Sequence, residues 1–102
     1  MTSDNILKTD QHKLNKALTA YKALADKTRL EIILHLHKKQ GEMNCSQITE
    51  HFQLSQPAVS HHCKKLLEAK AVQLRQEGTM NYLSLDYEVL DDLGINLDVL
   101  AL

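Results

Sequence analysis

Proline occurs once and glycine three times in 102 residues, which leaves little room for linkers or low-complexity tracts. No segment repeats itself. The longest apolar stretches fall far short of the ~20 residues that a membrane-spanning helix needs, so no membrane partner is expected. A basic segment followed by an apolar one is missing from the N-terminus, which argues against a secretion signal. The two cysteines, Cys45 and Cys63, are too few for a disulfide framework, and a reducing cytoplasm is the expected compartment. There is no glycine-rich phosphate loop, no His-Glu-x-x-His and no nucleophile elbow. Serine, histidine and aspartate all occur, but none in a recognisable catalytic context. Neither an enzyme nor a cofactor is expected.

What is present is the balance of a soluble globular protein, with 43% apolar and 25% charged residues. The length suits a single domain over residues 1–102. A domain of this size buries only about two-thirds of its unfolded surface, so pairing with a second copy would help it. Formal net charge is -1, but its distribution is uneven. Residues 86–102 carry Asp86, Glu88, Asp91, Asp92 and Asp98 and no lysine or arginine. That leaves 12 basic against 8 acidic residues in 1–85, a local net of +4 able to meet a polyanion.

Periodicity divides the chain further. Residues 1–9 have no pattern and are expected to be loose. Over 11–24, Leu14, Leu18, Tyr21 and Leu24 recur at helical steps. A second helix is predicted from Asp26, as its cap, to about Lys39, with Leu30, Ile33, Leu34 and His37 along one side. Ile32 and Leu36 widen that face, and Gly41 suits its stop. Asn44-Cys45-Ser46-Gln47 reads as a variant capping box for a short helix ending near Gln53. Ser55 caps a following helix that runs to about Lys70, with Pro57 in its first turn. Val59, Cys63, Leu66 and Leu67 form its inward stripe. Beyond Ala71 the period changes to two, with a turn at Gly78-Thr79, which predicts a β-hairpin over 72–85. Asp86 then caps a last helix over 86–102, in which Leu90, Leu93, Leu97 and Leu100 form an a/d seam.

Two short helices over 44–70 followed by a hairpin follow the order of a winged helix-turn-helix. The fold class expected is mostly α with a small β-hairpin wing. The second helix opposes its buried stripe with Gln56, Ser60, His61, His62, Lys64 and Lys65, concentrated in the N-terminal half that would enter a major groove. Ser55, Gln56, Ala58, Ser60, His61, His62, Lys64 and Lys65 are therefore candidate DNA contacts. Arg75, Thr79 and Asn81 at the hairpin tip are candidates for the adjacent backbone or minor groove.

The stretches Ala23-Leu24-Ala25-Asp26-Lys27-Thr28-Arg29-Leu30 and Leu54-Ser55-Gln56-Pro57-Ala58-Val59-Ser60-His61-His62, with Gly78 through Tyr82, resemble the ArsR/SmtB family of repressors over roughly residues 17–85. The resemblance implies a transcriptional repressor that binds double-stranded operator DNA, and autorepression is common among such proteins. It also implies a homodimer built from the first and last helices. The stripe Leu14, Leu18, Tyr21 and the seam Leu90, Leu93, Leu97, Leu100 are the matching interface candidates. Many relatives bind thiophilic metals through a Cys-Val-Cys segment, where this chain has the single thiol of Cys45. Others use Asp/His pairs on the last helix, and residues 86–102 contain no histidine. Neither common site can be assembled, so no metal is expected. His35 and His37 point in opposite directions on their helix and cannot share an ion. Cys45, at a helix N-terminus, leaves redox or atypical metal sensing as an alternative, and a winged-helix module that binds protein is another. The operator sequence and any inducer are not written in the residues.

Overall fold

The computed structural model describes residues 10–100, so the loose segment expected over 1–9 lies outside the described residues, as do residues 101–102. Helix α1 (Gln11–Leu24) starts at Asp10, whose carboxylate accepts from the amides of His12 and Lys13. Of its residues only Ala20, Ala23 and Leu24 are buried, all in its C-terminal half. Leu14, Leu18 and Tyr21, the expected stripe, stand 41%, 44% and 47% exposed. The chain measures 56 × 30 × 22 Å with a radius of gyration of 15.7 Å. A compact domain of this length would have about 13 Å.

Helix α2 (Lys27–Lys39) is capped by Asp26 through the Arg29 amide, as expected, and buries Ile32, Ile33 and Leu36 completely. Its stop differs from the sequence reading. Gln40, not Gly41, takes the left-handed conformation (φ 51°), and its amide donates to the carbonyls of Leu36 and His37. Gly41 then leads into a strand that the sequence did not announce, β1 (Glu42–Asn44).

Helix α3 (Cys45–Phe52) carries the expected capping box. Asn44 Oδ1 accepts from the Gln47 amide at 2.8 Å, and Gln47 Oε1 accepts from the Asn44 amide at 2.9 Å. Gln53 (φ 53°) reverses the chain, and Ser55 Oγ accepts from the Ala58 amide to begin α4 (Gln56–Glu68). Helix α4 ends two residues before the expected Lys70, which itself lies in the left-handed region (φ 60°).

Strands β2 (Val72–Glu77) and β3 (Met80–Leu85) make the expected hairpin, with Glu77 opposite Met80 and Gly78 at φ 59° in the turn. The positive φ is the reason a glycine serves there. Strand β1 adds to β3, giving a three-stranded antiparallel sheet in the order β1-β3-β2.

The last segment departs from the single helix expected over 86–102. Asp86 caps α5 (Tyr87–Asp92) as anticipated, through the Val89 amide. The chain then turns at Gly94 (φ 74°), and Asn96 Oδ1 accepts from the amides of Asp98 and Val99 to start α6 (Leu97–Leu100). A four-residue stripe cannot survive this break. Leu90 and Leu97 are buried in the chain's own core, Leu93 is half-buried and Leu100 is exposed. The a/d spacing was present, but glycine's ease at positive φ and asparagine's capping oxygen let the chain bend and bury both leucines locally.

One continuous core results. Ile32, Ile33 and Leu36 of α2, Ile48 of α3, Val59 and Leu66 of α4, Leu83 of β3 and Leu90 of α5 are its largest fully buried members. Burying each such side chain contributes about 1.5–3 kcal/mol. No polar residue is buried among those described, and no buried side-chain nitrogen or oxygen lacks a partner.

Candidate nucleic-acid interface

Helix α4 rests on the core through Val59, Cys63 and Leu66. Opposite them, Gln56, Ser60, His61 and Lys64 are exposed, and Ser55 is exposed at the cap. Helical spacing puts these side chains on one outward strip, as the sequence suggested. Ala58 is half-buried beside it. Lys65 is also half-buried and lies 3.8 Å from Glu68, one turn on.

His62 takes a different direction from its neighbour His61. Its side chain is only 17% exposed and turns toward the start of α2. Nδ1 lies 3.2 Å from Nη1 of Arg29 and 3.9 Å from Oδ2 of Asp26. Arg29 in turn donates from Nε to the Ala23 carbonyl in the last turn of α1. The Arg29 amide bond to Asp26, the largest cause, holds the Asp26 carboxyl below the usual carboxylate range, with the Arg29 charge adding to the effect. Three residues of the Ala23-to-Leu30 motif thus gather beside the candidate reading helix.

The wing tip carries Thr79 and Asn81, both exposed. Arg75 is exposed but engaged. Its guanidinium donates to Glu42 of β1 and to Glu77 of its own strand, at 2.7 Å in the latter case. It also lies 4.5 Å from the centroid of the Tyr82 ring. The Arg75 hydrogen bond holds Glu42 below the usual carboxylate range. A phosphate would have to draw Arg75 away from two carboxylates, which neither Thr79 nor Asn81 requires.

The metal and thiol candidates also find their places. His35 and His37 do diverge. His35 stacks on His51 of α3 with ring centroids 3.8 Å apart, and burial, followed by the charge of His51, lowers its pKa. His37 reaches the C-terminal segment instead, with Nδ1 2.9 Å from the Tyr87 hydroxyl and Nε2 2.8 Å from Asp98. Among the described residues, no three of histidine, cysteine, aspartate and glutamate come together in a way that could hold an ion. Whether the two thiols approach was not legible in the sequence. Cys45 sits half-buried at the first turn of α3, close enough to Cys63 to bear on its thiol. Burial, and then Cys45, push the Cys63 thiol up to about 12.

Cys63 should therefore be inert in the folded chain, because the thiolate is the reactive form. A charged aromatic disulfide reagent at mildly alkaline pH is expected to label no more than one thiol per native chain and both in denaturant. Peptide mapping checks that the native label lies on Cys45. Labelling of Cys63 at the same rate would contradict its burial.

The family model described as "Bacterial regulatory protein, arsR family" matches residues 26–73. The chain is 39% identical over 82 residues to the arsenical resistance operon repressor of Staphylococcus aureus, covering 80% of this chain and 77% of that one. It is 39% identical over 72 residues to the transcriptional repressor SdpR of Bacillus subtilis (strain 168), covering 71% and 78%. Among solved structures it is similar to the homodimeric winged helix-turn-helix DNA-binding domain of a possible ArsR-family regulator from Mycobacterium bovis. The TM-score is 0.76 at 26% identity, with 92% of this chain and 87% of that one covered. A winged helix-turn-helix of this order, with the matching motifs at α2 and α4, places the chain in the ArsR family of bacterial regulatory proteins.

Proposed function

We propose that this chain is a homodimeric repressor that reads operator DNA with α4 and steadies itself on the duplex with the wing. The observation that carries the reading is the strip of Ser55, Gln56, Ser60, His61 and Lys64, exposed along one side of a helix whose other side is anchored in the core. Glutamine, serine and imidazole groups can exchange hydrogen bonds with base edges, whereas an ammonium contributes charge to the phosphates. Ala58 and Lys65 flank the strip, Thr79 and Asn81 reach the neighbouring backbone, and Arg75 joins them if phosphate displaces its carboxylates. Dimerisation would pair the exposed α1 stripe with that of a second copy, and the similar Mycobacterium bovis domain is itself homodimeric. No described helix is long and apolar enough to cross a membrane.

His61 and Lys64 divide the labour. His61→Ala is expected to relax preference at one base position by about ten- to a hundredfold and to leave other positions unchanged. Lys64→Ala should weaken every sequence alike and flatten the slope of log affinity against log salt by about 0.9. Selection of bound fragments, followed by titrations at several salt concentrations, checks both. Equal losses on every sequence from both changes would defeat this assignment. A salt-insensitive complex with another protein, and none with DNA, would defeat the function.

A further inference from the structure

The side of α4 that faces away from the candidate duplex contains a polar contact that DNA reading does not use. Arginine is always a donor, so in the 3.2 Å contact of Arg29 Nη1 with His62 the imidazole Nδ1 is the acceptor, with Oδ2 of Asp26 further off at 3.9 Å from the same nitrogen. The same guanidinium holds the Ala23 carbonyl at the end of α1, and the Arg29 amide is held by the Asp26 cap. One arginine therefore joins the last turn of α1, the first turn of α2 and the middle of α4. Its contact with His62 is mostly screened from water, since that side chain is 17% exposed.

We propose that His62 is a positioning residue of the reading helix: Arg29 holds its imidazole at Nδ1 and thereby fixes the rotation of α4 relative to α1. The inference rests on the reading of α4 as the DNA-contacting helix. His62 touches no base in this arrangement. It sets where the exposed side chains on the opposite strip point. Helix α1 is also the candidate dimer helix, so Arg29 connects that helix to the reading helix through polar contacts.

Two measurements test this, and the first needs no DNA. Imidazole nitrogen NMR of the free chain should show His62 fixed in the Nε2–H form with a hydrogen-bonded Nδ1. Arg29→Met should release it without disturbing His61. A His62 ring that averages between tautomers in the wild-type chain, as a solvated ring does, overturns the inference alone.

The second measurement is affinity for a selected operator fragment and its single-base variants. Hydrogen bonds to charged groups are among the stronger ones, so His62→Ala and Arg29→Met should each weaken every fragment by about tenfold or more. The double variant should be little worse than either single one. His62→Asn, whose amide oxygen can take the place of Nδ1, should recover to within about threefold, provided melting confirms that it folds. His62→Gln, with its oxygen one bond further out, should not recover. If His62→Ala instead changes preference at one base pair while Arg29→Met is neutral, His62 is a base reader and the inference fails. A wild-type chain that prefers no DNA sequence overturns the repressor reading as well as this one.

Discussion

Leu18→Asp is expected to leave each subunit folded but monomeric, with operator affinity about a hundredfold or more lower. Leu18 is 44% exposed in the isolated subunit, so its own core loses little. What it loses is the partner. The stripe Leu14, Leu18 and Tyr21 stands exposed on α1, whose buried residues are Ala20, Ala23 and Leu24. An aspartate in the middle of a paired stripe would be a buried charge without a counterion, which outweighs the apolar area around it. Two reading helices joined in a dimer bind two half-sites as one event, and linkage of that kind raises affinity by about 10²–10⁴-fold over a single module. Sedimentation equilibrium reports the assembly, and anisotropy titrations on full and half operators report the consequence. Full-site affinity should fall to about that of a half-site. A Leu18→Asp protein that stays dimeric with undiminished affinity would place the interface elsewhere.

Leu66→Ala is expected to cost about 2–5 kcal/mol of folding stability while leaving sequence preference intact. Leu66 is fully buried on the back of α4, and the strip of Gln56, Ser60, His61 and Lys64 does not include it. A domain of this size has about 5–15 kcal/mol in total, so the change consumes a large fraction. Each kcal/mol shifts the melting midpoint of a domain of this size by about 4–8 °C. The midpoint should thus drop by about 8 °C at least. Thermal melts at fixed protein concentration, with and without operator, separate the two effects. An unchanged midpoint would contradict the burial of Leu66, and a changed base preference at low temperature would show that the back of α4 and its reading strip are coupled.

The two predictions draw on features that differ in how far the sequence revealed them. Caps were legible because each is a local exchange: Asp26, Asn44, Ser55 and Asp86 all accept from amides three residues ahead. The hairpin was legible from its period of two. Three residues of β1 are too short to show any period, and the strand exists because β3 offers it an edge. At Gly94 the residue type itself disfavours a helix interior, but the leucine spacing pointed the other way. For the candidate site, the outward strip of α4 followed from helical spacing. The inward turn of His62 depends on Arg29, and the engagement of Arg75 depends on Glu42, each 33 positions away. The meeting of Cys45 with Cys63 is likewise tertiary. Contacts of that range leave no local periodic signal.

Asn44 is both the last residue of β1, opposite Tyr82 of β3, and the cap of α3. No spacer separates the sheet from the helix pair, so there is no joint about which the wing could swing on its own. The base of the sheet, where β1 pairs with Tyr82 to Ser84, would therefore carry α3 with it when it tilts. Where wing and reading helix both touch a duplex, the protein offers a fixed template and the adjustment falls to the nucleic acid. Base steps that bend or unwind easily between the two contacts would then be favoured without being touched.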